Sequence, residues 1–112
     1  RGVVLHGSDI TNGVPSYYGE FSQTVVMDGL FLAATGRTIN KVSLEQPQYL
    51  PENWDFYDIH YTYTAHSLGL ENKAVPIFIL HNSRGEVENK HSWHKNREAF
   101  INKNIKNFPI TC

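Results

Sequence analysis

Carboxylates and aromatic side chains are concentrated in residues 54 to 60, W-D-F-Y-D-I-H. A carboxylate can take a proton from a hydroxyl group, and an aromatic face beside it can pack on a sugar ring. No helix breaker follows before Gly69, so the sequence predicts a helix from about Asp55 to Leu68 with Asp58 in its first turn. The helix dipole stabilises an anion there. Asp58 is therefore either a catalytic or ligand-binding carboxylate or a plain helix cap, and Asn should cap about as well.

A third carboxylate, Asp28, interrupts the most apolar segment, Thr24 to Thr35. This segment predicts a buried strand broken at a bulge by Asp28 and Gly29. A buried carboxylate must be paired or face a cavity, and a glycine beside it allows a ligand to approach the backbone closely. Asp28 therefore either faces a ligand or bonds to loop amides.

His81 ends a strand predicted over residues 74 to 80, and the ends of strands are common ligand positions in open α/β sheets. It is either a metal ligand or a hydrogen-bonded histidine. His91 and His94 are one turn apart on a predicted last helix, but no nearby Cys or Asp completes a zinc set. The chain has no D-x-D, G-x-S-x-G, P-loop or Rossmann glycine motif, which excludes the enzyme classes that these motifs identify.

The remaining segments predict a single α+β domain, in which two main helices pack a small mixed β-sheet. No repeat, low-complexity tract or linker divides the 112 residues. The predicted elements are a short strand at Val3–Leu5, irregular structure over residues 8–19 and 36–53 with a helical turn near 42–44, and a last helix over His91–Lys106 capped by Ser92.

Composition excludes several partners and sets an expectation for the compartment. The formal net charge is −1, and the mild basic surplus after residue 83 is too small for a nucleic-acid surface. No apolar run is long enough to predict a membrane span. The one cysteine, Cys112, cannot form an internal disulfide, so we expect a reducing, cytoplasmic location.

Taken in order, four segments carry a family resemblance: MDGLFLAA, WDFYDIHYTYTAHSLG, AVPIFILHNSRG and SWHKNREAFINK. This order resembles the C-terminal, acceptor-side half of GT-A-fold glycosyltransferases, especially bacterial family 2-like enzymes, over about Val25 to Lys106. The resemblance implies a domain that binds a saccharide or sugar-bearing acceptor and works with a nucleotide-sugar donor.

The resemblance also implies roles for individual residues. Asp58 matches the candidate general base, and His81 matches a position that helps to hold a divalent metal ion. The residues implied in substrate binding are Asp28, Gly29, Trp54, Asp55 and Tyr57. A metal ion, Mn²⁺ or Mg²⁺, is expected only together with a donor-binding half, and otherwise no cofactor is expected.

The chain departs from the family in having neither the βαβ nucleotide-binding half nor its D-x-D motif. We therefore expect a fragment or a truncated, stand-alone version of a larger domain, and residue types alone do not decide whether it is an enzyme. A homo-oligomer or a partner segment is expected to cover the truncated sheet. The alternative is a non-catalytic oligomerising or protein-binding module that keeps the fold, and a weaker one is a small hydrolase that uses Asp and His.

Overall fold

The structure, a computed structural model, describes residues 2–19, 21–51, 55–82 and 91–111. The predicted site residue Trp54 lies outside them. The secondary-structure elements in chain order are β1 (Gly2–His6), β2 (Val14–Tyr18), β3 (Ser22–Thr24), α1 (Gly36–Lys41), α2 (Tyr57–Ser67), β4 (Asn72–Ala74), β5 (Phe78–His81), α3 (His91–Asn104) and a 3₁₀ turn (Ile105–Asn107). Mixed α+β structure with a small sheet is confirmed.

The chain forms two compact units. Unit 1 comprises Arg1–Gln23 and Lys73–Asn89, and unit 2 comprises Thr24–Asn72 and Lys90–Cys112. The strands β3 and β4 form a two-stranded sheet. In the part of the chain that the structure describes, no helix is long and apolar enough to cross a membrane.

Unit 1 contains a three-stranded mixed sheet in the order β2-β1-β5. The central strand β1 pairs antiparallel with β2 and parallel with β5, and the last pair of the parallel register is His6 with His81. β1 forms where the apolar run predicts it, because Val4 and Leu5 are buried. The parallel pairing brings together the ends of two strands that are far apart in the sequence.

The prediction of irregular structure over residues 8–19 is wrong for β2. The turn residues Gly13, Pro15 and Gly19 suggested a loop, but Pro15 is tolerated because β2 lies at the edge of the sheet. The Tyr18 hydroxyl holds this strand by donating to the Ile77 carbonyl at 2.9 Å and accepting from the Ile77 N–H at 3.1 Å.

The predicted buried strand over Thr24–Thr35 is also wrong, because only Ser22–Thr24 is a strand and residues 25–35 are irregular. Side chains elsewhere in unit 2 satisfy this backbone. The Met27 N–H donates to Thr62 Oγ1 at 3.0 Å, and Asn72 Nδ2 donates to the Val25 carbonyl at 2.8 Å. Hydrogen bonds from distant side chains thus hold residues 25–35, and the hydrophobic periodicity of the sequence does not predict these bonds.

The two long helices of unit 2 are found close to their predicted positions. α2 covers Tyr57–Ser67, but its N-cap is Phe56 in the left-handed conformation at φ 71°, with no side-chain cap. The alternative in which an aspartate occupies the N-cap of this helix is therefore not the arrangement in the structure. Ser92 lies one residue inside α3 instead of capping it.

Among the described residues of unit 2, the buried apolar side chains form two clusters. Val42, Tyr61 and Ala65 form the first, with Leu70 packed on it. Leu50, Tyr63 and Phe100 form the second, joining α2 to α3. Partly buried side chains cover this second cluster, among them Val25, Tyr49, Phe56, Ile59, Ala99 and Ile110. α2 is thereby fixed on both sides, with its first turn next to the irregular segment over residues 25–35.

Candidate functional site

The carboxylate of Asp58 fastens the irregular segment to the start of α2. Its Oδ2 accepts the Gly29 N–H at 2.6 Å, and its Oδ1 accepts the Ile59 N–H at 2.8 Å. The Asp58 carbonyl accepts the Thr62 hydroxyl at 2.8 Å, and that same hydroxyl oxygen accepts the Met27 N–H. Each Asp58 carboxylate oxygen keeps capacity for a second hydrogen bond, because an ionised carboxylate has about four acceptor positions.

Gly29 is required by this close approach. A Cβ at position 29 would lie 2.6 Å from the Tyr57 hydroxyl oxygen and 2.9 Å from Asp58 Oδ2. Any larger residue would push one of these groups away. Tyr57 is half-buried at the same place.

Asp28 is exposed, and its Oδ1 accepts the Leu30 N–H at 3.0 Å. The alternative in which Asp28 bonds to a loop amide is therefore present in the structure. Its other carboxylate oxygen leaves a second acceptor beside Gly29. Four of the expected residues thus lie together in unit 2, namely Asp28, Gly29, Tyr57 and Asp58.

Asp55, expected in substrate binding, is engaged by α3. Its carboxylate accepts the Ser92 hydroxyl, and its carbonyl accepts Asn96 Nδ2 at 2.6 Å. Asn96 is fully buried. These bonds attach the beginning of α2 to the beginning of α3, which gives Asp55 a structural role at this position.

A tyrosine–histidine pair near the same helix was not found from the sequence. The Tyr49 hydroxyl and His60 Nδ1 are 2.7 Å apart, and Lys103 Nζ lies 4.5 Å from the centre of the Tyr49 ring. Burial raises the pKa of Tyr49 to about 12, while burial and then the Lys103 charge lower the pKa of His60. Both groups are therefore neutral near pH 7 and share one hydrogen bond between the phenol oxygen and Nδ1. A polar pair separated by 11 residues on different elements leaves no sequence signal.

His81 belongs to unit 1, where its nearest described polar partner is another histidine. His81 Nδ1 and His6 Nδ1 are 3.3 Å apart. Among the residues that the structure describes, no group of three or more His, Cys, Asp or Glu side chains is placed to hold a metal ion. His6 was not singled out from the sequence, although it ends an apolar strand as His81 does.

Comparisons with protein-family models, with curated proteins and with solved structures give no match to this chain.

Proposed function

We propose that unit 2 binds a saccharide or sugar-bearing acceptor on the surface formed by Asp28, Gly29, Tyr57 and Asp58, as the acceptor-side half of a GT-A glycosyltransferase. One observation carries the proposal: the Gly29–Asp58 hydrogen bond joins two segments that the resemblance assigns to one site. The resemblance assigns MDGLFLAA to the junction of the donor and acceptor sites, and it assigns the acidic residue of WDFYDIHY to the acceptor side. These segments are distant in the sequence. Their meeting supports a common site.

The groups at this surface suit a sugar. Two carboxylates supply acceptors for hydroxyl groups, and the half-buried Tyr57 supplies an aromatic face and a hydroxyl. In the proposed reaction, Asp58 takes the proton from the acceptor hydroxyl as its oxygen attacks the anomeric carbon and the nucleoside diphosphate departs. The two backbone N–H groups on Asp58 fix the orientation of its carboxylate for this transfer.

The donor side of the proposed reaction needs residues beyond this site. A Mn²⁺ or Mg²⁺ ion would neutralise the leaving diphosphate, and such ions prefer oxygen ligands. Of the residues expected at the donor side, His81 could supply one nitrogen ligand. The described residues contain no group of three His, Cys, Asp or Glu side chains that could hold the ion, so they do not form a complete site for it. Catalysis is therefore proposed only together with a donor-binding half. The cytoplasmic location expected from the sequence remains a prediction.

The proposal is tested by screening the chain on an array of saccharides and titrating those that bind by calorimetry. We expect Tyr57→Ala and Asp58→Asn each to weaken binding about tenfold, the loss of roughly one good contact. Asn102→Ala, on an exposed part of α3, is the matched control and should bind as the wild type does. Binding that neither site variant changes would reject this surface as the site.

The second candidate is a non-catalytic module that associates with a second copy of itself. It is favoured by Tyr17, Phe78 and Leu80, which are 66%, 57% and 45% exposed. The register places all three on one face of the unit 1 sheet, since Tyr17 and Phe78 both pair with Val3, and Leu80 pairs with Leu5. Sedimentation should then give a dimer that Phe78→Ser dissociates, whereas a monomer at all concentrations would reject this candidate.

A further inference from the structure

Two histidines lie side by side where the parallel strands of unit 1 end. His6 is the last residue of β1, His81 is the last residue of β5, and the two are directly paired in register. Their rings are 5.4 Å apart between centres and inclined at 67°, with the Nδ1 atoms 3.3 Å apart. Two imidazole nitrogens from separate strands therefore lie next to each other.

The distance between the nitrogens matches one metal geometry. Two imidazole nitrogens, each bound at about 2.0–2.1 Å to a tetrahedral ion, lie about 3.3–3.4 Å apart. Two nitrogens at a right angle on a square-planar ion would be only about 2.9 Å apart at the same bond length. The separation in this chain therefore fits a tetrahedral ion.

The backbone holds the pair in place without the ion. The Gly7 N–H donates to the His81 carbonyl at 3.0 Å, directly beyond His6, and the Val3 N–H donates to the Ile77 carbonyl at 2.9 Å at the other end of the pairing. Both histidines are half-buried. Binding an ion then requires only small rotations of two imidazole rings, because the strands already set their separation.

We propose that His6 and His81 chelate a divalent zinc-type ion through their Nδ1 atoms, with water completing the tetrahedron. Imidazole nitrogens suit Zn²⁺, Ni²⁺ and Cu²⁺, whereas Mg²⁺ and Mn²⁺ prefer oxygen. This site differs in two ways from the metal role expected for His81. It includes His6 as a second ligand, and it binds a zinc-type ion instead of Mn²⁺ or Mg²⁺. It needs neither a sugar nor a nucleotide, so it stands or fails separately from the proposed function.

Zn²⁺ titration of the whole chain by calorimetry tests the site, in a Cys112→Ser background so that the thiol does not compete for the metal. We expect one Zn²⁺ per chain, affinity at least tenfold weaker in both His6→Ala and His81→Ala, and no heat from Mg²⁺. His94→Ala removes an exposed histidine of α3 and is the matched control, which should bind as its parent does. Co²⁺ should give the intense visible absorption of tetrahedral surroundings.

A second readout separates ligand loss from unfolding of unit 1. Long-range ¹H–¹⁵N spectra of the wild type with Zn²⁺ should show both rings with metal on Nδ1 and the proton on Nε2. The proposal is overturned if the wild type takes up no Zn²⁺, if binding survives in both alanine variants, or if one ion bridges two chains in sedimentation. The His6–His81 contact would then be only a hydrogen bond.

Discussion

The Gly29 N–H donates to Asp58 Oδ2 at 2.6 Å, across 29 residues of sequence. This bond attaches the irregular segment after β3 to the first turn of α2, which begins with Tyr57 and Asp58. The same carboxylate is the proposed proton acceptor. Its structural and chemical roles therefore have to be separated by experiment.

Asp58→Asn should destabilise the protein by about 1–3 kcal/mol, the cost of leaving a partly buried hydrogen-bonding group unmade. Both Asp58 oxygens accept backbone N–H groups, and an amide has only one oxygen. This replaces the expectation from helix capping that Asn would be nearly equivalent. Asp28→Asn is the matched control, because Asp28 is exposed and only its Oδ1 accepts a described N–H. Equal denaturation midpoints for the two variants would contradict the role of Asp58.

Gly29→Ala should destabilise unit 2 by about 1–3 kcal/mol, because the new methyl group overlaps the Tyr57 hydroxyl and Asp58 Oδ2. Adding Tyr57→Phe removes the closest of these atoms and should recover part of the loss, as measured by a double-mutant cycle in urea. Gly36→Ala is the control, because a Cβ there has open space within α1. A loss in Gly36→Ala as large as that in Gly29→Ala would count against this packing.

The stability of unit 2 should fall as the pH decreases below 6.5. The folded pKa of His60 is lowered from 6.5, first by burial and then by the Lys103 charge, so the unfolded chain binds the proton more readily. The contribution of neutral His60 to the free energy of unfolding is complete above pH 6.5, and it is lost as the pH falls through the pKa of His60 in the folded state. Urea denaturation between about pH 7.5 and pH 5.5, above the range of ordinary carboxyl groups, measures it.

His60→Gln keeps a hydrogen-bonding group for Tyr49 but cannot titrate, so its stability should vary less with pH than that of the wild type. His94→Gln removes an exposed histidine and should leave the wild-type slope unchanged. Parallel pH profiles for the wild type and His60→Gln would refute the assignment to His60.

Asn96→Ala should cost about 2–4 kcal/mol, since it leaves the Asp55 carbonyl without its donor and opens a cavity at a fully buried position. Asn102→Ala, on the exposed side of the same helix, should have little effect. Thermal unfolding of both variants checks the attachment of α3 to Asp55. A similar melting temperature for both would mean that this bond contributes nothing.

The positions of α2, α3 and β1 were predicted well from features of their own sequence segments. α2 and α3 lie within a few residues of the predicted helices, because Gly69 and Pro109 end runs that contain no helix breaker. β1 is a short apolar run. Each of these elements depends on properties of its own residues.

The elements that sequence reasoning missed depend on partners far away in the chain. β2 contains turn residues and forms because β1 pairs with it. Residues 25–35 are apolar enough for a strand, but the side chains of Asp58, Thr62 and Asn72 bind the backbone of residues 25, 27 and 29. The Tyr49–His60 and His6–His81 pairs likewise exist only after folding.

The amide signals of Gly29 and Ile59 give the most direct test of saccharide binding, because both N–H groups bond to the proposed base. In ¹H–¹⁵N spectra of the wild-type chain, titrated with the saccharides bound on the array, both signals should shift in a saturable way. Asp58→Asn should weaken that saturation about tenfold. Signals of Gly29 and Ile59 that stay fixed at saturating saccharide would contradict an acceptor site at Asp58.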